Sequence, residues 1–381
     1  MKDFNFTIPQ NIEFGVGSLK KLPTIMKDNK LDHVFLISDH GLEAIGVVKK
    51  IQDIVEEAGL KCTTYLDVKP NPTSAIVAEA TDLYNACGAS SIIALGGGPM
   101  DVAKAVGVVA TYGGKIFDYE GNFKVPGPIV PIFAIPTTAG TGSEVTASAV
   151  ITDEATHFKS TVFSYYNLPK FAILDPELIM TAPAHIAAAC GVDALIHALE
   201  AYLSNNANPF SDAFAEKAME LIGTHLRSFV ANRHDEEAAC AMMVGSTFAG
   251  IAFAWARLGN IHAMSHPVSG FFGVAHGVAN SVLMPTVIEY NALADKGRYE
   301  KIYNYISVDK EPVKDFKPEM LVAEVQKLND DLGIPKSLKE VGVTEDKIPA
   351  MAADAMKSGN IPANPRQTTL EDITELYQKA F

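Results

Sequence analysis

Over its first 180 residues the chain repeats one pattern: a short, unbroken apolar run, a turn, then a stretch with apolar positions at helical spacing. The runs His33–Ser38, Cys62–Val68 and Ser91–Leu95 precede the amphipathic stretches Glu43–Glu57, Ser74–Cys87 and Asp101–Thr111, which predicts βαβαβ. Val34-Phe35-Leu36-Ile37 and Ile92-Ile93-Ala94-Leu95 show no polar alternation, as strands of a parallel sheet covered on both faces should. Pro131–Ile135, Val145–Thr152 and Phe171–Leu174 read as further strands around a Thr/Gly-rich turn. From Thr181 the pattern becomes Ala, Leu, Met and Glu at helical spacing, punctuated at Asn205-Asn206, Asn208-Pro209 and Gly259-Asn260. The expected architecture is an α/β N-terminal domain with a parallel, Rossmann-like sheet over residues 1–180 and an all-α C-terminal domain over 181–381. Lys310–Pro318 reads as a surface loop.

Hydrophobic residues make up 48% of the 381, enough for a large core, which excludes a disordered or fibrous chain. The 31 Lys+Arg against 45 Asp+Glu leave a net charge of −14 with no long basic run, so nucleic acid and anionic membranes are not expected partners. The four cysteines, Cys62, Cys87, Cys190 and Cys240, form no C-x-x-C pair, and Met1–Gln10 lacks the charged and apolar regions of a signal peptide. No uninterrupted run approaches the roughly 18 apolar residues of a membrane span. A reducing cytoplasmic setting is the expectation.

Gly96-Gly97-Gly98 follows directly on a strand and leads into a helix carrying Asp101, Ala103 and Lys104, with Pro99 suited to the first turn. Backbone N–H groups and a helix N-terminus there can face one anion, and glycine lets the chain approach a pyrophosphate closely; a ligand-free tight turn reads the same way. Asp39 closes the strand Val34–Ser38, where a carboxylate can accept ribose hydroxyls and repel a 2′-phosphate, favouring NAD over NADP. As an alternative, Asp39 caps the helix that starts near Leu42.

Asp193 and His197 stand four residues apart in the helical stretch Ala187–Leu203, and His262 and His266 repeat that spacing, with His276 shortly after. One carboxylate and three imidazoles suit a divalent ion such as Fe²⁺, with Zn²⁺, Mn²⁺ or Co²⁺ as substitutes. Asp193, His197, His262 and His276 are assigned to the metal. An open coordination position would then let a substrate oxygen lose its proton more readily. His266 is left either to relay that proton to solvent, as a catalytic residue, or to support a ligand.

These stretches resemble the iron-containing, group III alcohol dehydrogenases, and among them the lactaldehyde:propanediol oxidoreductases and 1,3-propanediol dehydrogenases. The likeness spans nearly the whole chain and rests on Gly96–Gly98 with Asp101–Lys104, on Ile135–Thr146, on Gly191–Ala198, on Leu258–Pro267 with Pro285, and on Asn364-Pro365-Arg366. The resemblance implies NAD- and iron-dependent interconversion of a short-chain primary alcohol or diol and its aldehyde, in a cleft between the two domains. It makes Asp193, His197, His262 and His276 the iron ligands. It places Asp39, Asn71, Gly97, Gly98, Asp101, Thr137, Thr138, Thr141, Thr146, Ser148 and Lys159 around the cofactor. It also implies a homo-oligomer, dimer or larger, paired through the extended segment Asp3–Phe14. Three features depart from the family's usual pattern: Pro99-Met100 leaves the glycine loop one residue short, Asn360 stands where relatives often carry Cys, and Ser148 where they often carry Asn. Phe253, in the helical stretch Ala249–Trp255, is expected to shape the substrate pocket. Two alternatives stand beside this reading: a metal- and NAD-binding carbon–oxygen lyase of the dehydroquinate synthase type, whose phosphate-bearing substrate calls for a basic cluster near the metal, and a non-catalytic metal-binding protein.

Overall fold

Apolar runs without alternation fold into the interior of one parallel sheet. The computed structural model describes residues 6, 8, 10–69, 71–154, 159–309 and 313–381. By contact the chain forms two units, Thr7–Thr138 with Ser143–Thr181, and Ala182–Phe381 with Met1–Phe6 and Ala139–Gly142.

In the α/β unit the strands are β1 (Asn11–Phe14), β2 (His33–Ile37), β3 (Lys61–Tyr65), β4 (Ser91–Leu95), β5 (Gly121–Asn122), β6 (Ile132–Ile135), β7 (Ser148–Thr152), β8 (Lys159–Phe163) and β9 (Phe171–Leu174). The helices are α1 (Leu22–Asp28), α2 (His40–Ala44), α3 (Val47–Glu57), α4 (Ser74–Cys87), α5 (Gly97–Tyr112) and α6 (Pro176–Ile179). Six strands form a parallel sheet in the order β1-β9-β6-β4-β2-β3, and β5, β8 and β7 form a second, small sheet. Successive residues of a strand point to opposite faces. Accordingly Phe35 and Ile37 join Val77, Val102 and Val106 on one side, while Val34, Leu36, Ile93 and Leu95 join Val48, Ile51 and Val55 on the other. The chain leaves β2 for one edge through β3 and returns to its other side with β4, so the order reverses between β2 and β4. The carboxyl ends of those strands carry Asp39 and Gly96, at the point where such sheets bind ligands.

Several boundaries differ from expectation for local reasons. Glu43–Glu57 is two helices, because Gly46 at φ 80° breaks the run between α2 and α3. Helix α5 begins at Gly97, four residues earlier than the apolar periodicity shows. The strand expected from Val145 begins at Ser148, since Ser143–Val145 is a 3-10 turn. The strand expected to reach Val68 stops at Tyr65. Of the pairing segment, Asn11–Phe14 is strand, while residues 3–5, Thr7 and Pro9 lie outside the described residues, as do residues 310–312 of the expected loop.

The helical unit comprises α7 (Ala184–Leu203), α8 (Pro209–Ala231), α9 (Glu236–Ala256), α10 (Asn260–Phe272), α11 (His276–Asn291), α12 (Arg298–Ile306), α13 (Pro318–Asp331), α14 (Ile348–Ala355) and α15 (Leu370–Ala380). Helix α7 is its axis, packed by α8, α9 and α11. By length and hydropathy alone α7 and α9 could cross a membrane. Both are largely buried within the unit, and α7 carries Asp193, His197 and Glu200 along its middle, which accounts for its apolar surface as core. The approach of α11 to α7 is set by Gly277, where a Cβ would lie 2.5 Å from the Ala189 carbonyl oxygen.

Candidate functional site

Four-residue spacing on α7 puts Asp193 and His197 one turn apart on one face, both buried. His262 lies in the first turn of α10, and His276 is the first residue of α11. Each of the four offers one ligand atom, and these atoms all lie within 4.8 Å of one another. His262 Nε2 is 3.7 Å and His276 Nε2 3.9 Å from Asp193 Oδ1.

The other ring nitrogens set which face of each imidazole is free. His262 Nδ1 donates to Glu200 Oε2 at 2.7 Å, and His197 Nδ1 donates to the Gly140 carbonyl at 3.2 Å. Both rings thereby turn Nε2 toward the group. Asn280, on α11, donates from the single nitrogen Nδ2 toward Asp193 Oδ1 at 2.6 Å and toward His262 and His276 Nε2 at 3.1 Å each. The two amide protons of this nitrogen face three converging atoms, and Asn280 Oδ1 is itself buried without a hydrogen-bond partner among the described residues. A divalent cation matches this donor set of one carboxylate oxygen and neutral imidazole nitrogens.

Burial alone would raise the Asp193 carboxyl, yet His197, His276 and His262 outweigh it and hold it well below the usual carboxylate range. Burial pushes His197 down to about 4 against the pull of Asp193. His262 is lowered by burial but lifted further by Asp193 and Glu200, to about 9. Phe253 stacks on His197 with ring centroids 4.5 Å apart and thus closes one side of the group. His266 stands outside the four, partly exposed, stacked on His276 at 5.4 Å.

The segment Ala139–Gly142 fits tightly against α7 and α9. A Cβ on Gly140 would meet Cys190 Cβ at 2.9 Å, and one on Gly142 would meet Gly250 Cα at 2.6 Å, with φ 60° at Gly142 also calling for glycine. Thr141 lies in this segment.

In the α/β unit, Gly96 adopts φ 102° and would carry a Cβ 3.0 Å from Leu42 Cδ1, so glycine is required there. Gly97 and Gly98 open the first turn of α5, where N–H groups have no partner within the helix, while Pro99 contributes none. Asp39 Oδ1 accepts from Leu42 N–H at 2.9 Å and caps α2, and its second oxygen makes no hydrogen bond among the described residues. Capping and ribose binding are therefore compatible. Asp101 is pushed up to about 6 by burial, against Lys104, the Val150 N–H and Lys159. Lys104 is fully buried and donates to the Ser143 carbonyl and hydroxyl, to Thr146 Oγ1 and to the Ser148 carbonyl, at 2.8 to 3.2 Å. Thr137 and Thr138 follow β6, Lys159 opens β8, and Asn71 sits at φ 56° in the loop before α4.

Sequence reasoning missed Glu200, Asn280 and the Gly140 carbonyl. Glu200 follows Asp193 by seven residues and Asn280 follows His276 by four, so each shares a helix face with a predicted ligand and a spacing search could have found them. The carbonyl carries no sequence signal.

Two family models cover most of the chain: "Iron-containing alcohol dehydrogenase" over residues 9–176 and "Fe-containing alcohol dehydrogenase family, C-terminal" over residues 187–381. The chain is 37% identical to the NAD-dependent methanol dehydrogenase of Bacillus methanolicus over 379 residues, covering 99% of this chain and 100% of that one. It is 38% identical to the lactaldehyde reductase of Escherichia coli strain K12 over 372 residues, covering 97% of each. A crystal structure of a 1,3-propanediol oxidoreductase superposes with a TM-score of 0.96 at 36% identity over 100% of both chains.

Proposed function

As the chain belongs to the iron-containing alcohol dehydrogenase family, we propose that Asp193, His197, His262 and His276 hold its iron and that Asp39 and the Gly96–Met100 turn hold its NAD. The protein is an NAD- and iron-dependent oxidoreductase that interconverts alcohol and aldehyde, a reading supported by relatives named NAD-dependent methanol dehydrogenase, 1,3-propanediol dehydrogenase and lactaldehyde reductase. These relatives select hydride transfer over the lyase reading. The preferred substrate is a short-chain primary alcohol or diol. The observation that carries the metal assignment is the gathering of four ligand atoms within 4.8 Å around a buried carboxylate.

When bound, the ion acts as a Lewis acid that eases loss of the proton from an alcohol oxygen, and NAD takes up the hydride. The chain's own residues prepare that step. Glu200 and the Gly140 carbonyl hold the protons of His262 and His197 on Nδ1, leaving Nε2 of each toward the centre. Phe253 covers His197 and keeps water off that side. His266, partly exposed beside His276, is positioned to pass a proton to solvent. Asp39 accepts a ribose hydroxyl on its free oxygen and repels a 2′-phosphate, while Gly97 and Gly98 offer their N–H groups to the pyrophosphate. Lys104 ties down Ser143, Thr146 and Ser148, so the segment carrying two cofactor residues is held in one conformation.

Among the described residues strand β1 has one partner, β9, and exposes Ile12 and Phe14, an edge that supports pairing with a second copy of the chain. The net charge of −14 and the absence of a disulfide among the described residues support a cytoplasmic location. Anaerobic purification with metal analysis, followed by NAD reduction across alcohols of two to four carbons, tests the whole reading. Wild type is expected to carry iron and reduce NAD, and His262→Ala to lose both. Full metal occupancy with normal turnover in His262→Ala would refute the ligand assignment.

A further inference from the structure

We infer that Glu200 is a positioning residue for the metal centre: its carboxylate fixes the tautomer and ring orientation of His262, and through them the direction of that ligand's lone pair. The inference rests on reading Asp193, His197, His262 and His276 as the metal site, and adds to it a residue that touches no substrate, cofactor or ion.

Glu200 is buried on α7, and its two oxygens do different work. Oε1 accepts from the Ile261 N–H at 2.7 Å. Oε2 accepts from His262 Nδ1 at 2.7 Å and, more distantly, from the His262 N–H at 3.4 Å. A carboxylate oxygen accepts, so Nδ1 must carry a proton toward Glu200, and Nε2 is the nitrogen left to face Asp193 and to bind an ion. Among the described residues the only ion-pair partner of Glu200 is this same ring. A buried carboxylate without lysine or arginine is costly to keep merely to cap a helix, a task a side chain at the N-cap performs by itself. Here the N-cap is Gly259, where a Cβ would come within 3.0 Å of Glu200 Oε1 and 2.9 Å of Asn364 Oδ1. Its bare backbone leaves room for two side chains from elsewhere. Asn364, from the C-terminal Asn364-Pro365-Arg366 motif, accepts from the Asn260 N–H at 3.2 Å and exchanges hydrogen bonds with Asn291. The start of α10 is thus gripped from two sides, and the grip nearest the ligand also sets its protonation.

Glu200→Gln separates this role from capping. With its amide oxygen toward Ile261 the cap survives, but its NH2 then faces His262 Nδ1, which must accept, and the ring proton moves to Nε2, where it blocks coordination. The test uses the full-length chain stripped of metal by a chelator, as wild type, Glu200→Gln, Glu200→Asp and His262→Ala. Cobalt(II) affinity is read by visible absorbance under chelator competition, the His262 tautomer by ring ¹⁵N chemical shifts, and folding by melting temperature. The expectation is that Glu200→Gln melts near wild type, binds cobalt about 10- to 100-fold more weakly and carries its ring proton on Nε2. Glu200→Asp, which keeps two acceptor oxygens, is expected to retain the Nδ1 proton and more of the affinity. Wild-type affinity in Glu200→Gln, with His262→Ala unable to bind, overturns the role of Glu200 while the metal site stands. Equal binding by wild type and His262→Ala overturns both. Should Glu200→Gln fail to fold, the wild-type ring decides, since a His262 ring that carries no proton on Nδ1 in the metal-free protein overturns the inference.

Discussion

Replacing Gly277 with alanine adds one methyl group at the contact that seats α11 on α7. The new Cβ would lie 2.5 Å from the Ala189 carbonyl oxygen, 2.9 Å from its carbon and 3.4 Å from Asp193 Cβ. The first two atoms are backbone and cannot rotate aside. Bringing the closest contact to the 3.0 Å limit of real Cβ atoms requires a retreat of at least about 0.5 Å. Overpacking of this kind costs about 1–3 kcal/mol, partly offset by up to about 1 kcal/mol from the better helix propensity of alanine. With roughly 2–4 °C per kcal/mol for a domain of this size, a melting temperature lower by a few degrees is expected. The effect on the metal is larger, because His276 is the preceding residue and ligand distances tolerate only about 0.2 Å. Gly270→Ala is the control: it lies in α10, and its Cβ would meet nothing within 4 Å, so stability should hold or rise slightly. Thermal melts with and without metal, metal content and turnover should be measured on both variants. If Gly277→Ala retains its metal and melts with Gly270→Ala, the proposed dependence of the centre on this helix contact is wrong.

Three further outcomes are expected. Asp39→Gly should raise the rate with NADP relative to NAD while costing only a few tenths of a kcal/mol, since glycine is tolerated at an N-cap; an unchanged cofactor ratio would remove the ribose contact. His266→Ala should reshape the pH profile of turnover with metal content near normal, whereas loss of the metal would make His266 a ligand. Burial lowers Lys104 from 10.5 to about 8, against the pull of Asp101 and Glu144. Between those values the unfolded chain binds more protons than the native one, so this group makes stability rise with pH across about 8 to 10.5. Lys104→Met should flatten that rise in urea midpoints recorded over the same range, and an unaltered slope would contradict the shift.

The legible parts of this molecule are those governed by local periodicity. Val34–Ile37 and Ile92–Leu95 announced a sheet covered on both faces because burial on both sides removes alternation, and the four-residue spacing of Asp193 and His197 announced that they share one face of α7. The start of α5 was harder, because Gly97 and Gly98 have poor helix propensity and become helical only with the sheet beneath them. Gly46 splits a continuous amphipathic run through its φ alone. Hardest were contacts between distant segments: nothing local to Gly140 says that its carbonyl meets a ring 57 residues later, nor does the Asn364 motif reveal that it grips α10.

Four residues from the first half of the chain, Ala139–Gly142, belong by contact to the helical unit and supply the carbonyl that orients His197. A fragment cut at Ala182 would therefore carry every proposed ligand and still lack part of what aims them. Anyone transplanting the centre into another scaffold, or expressing the helices as a stand-alone metalloprotein, must bring this short loop along, for instance by circular permutation or as an added peptide whose rescue of metal uptake would be directly measurable.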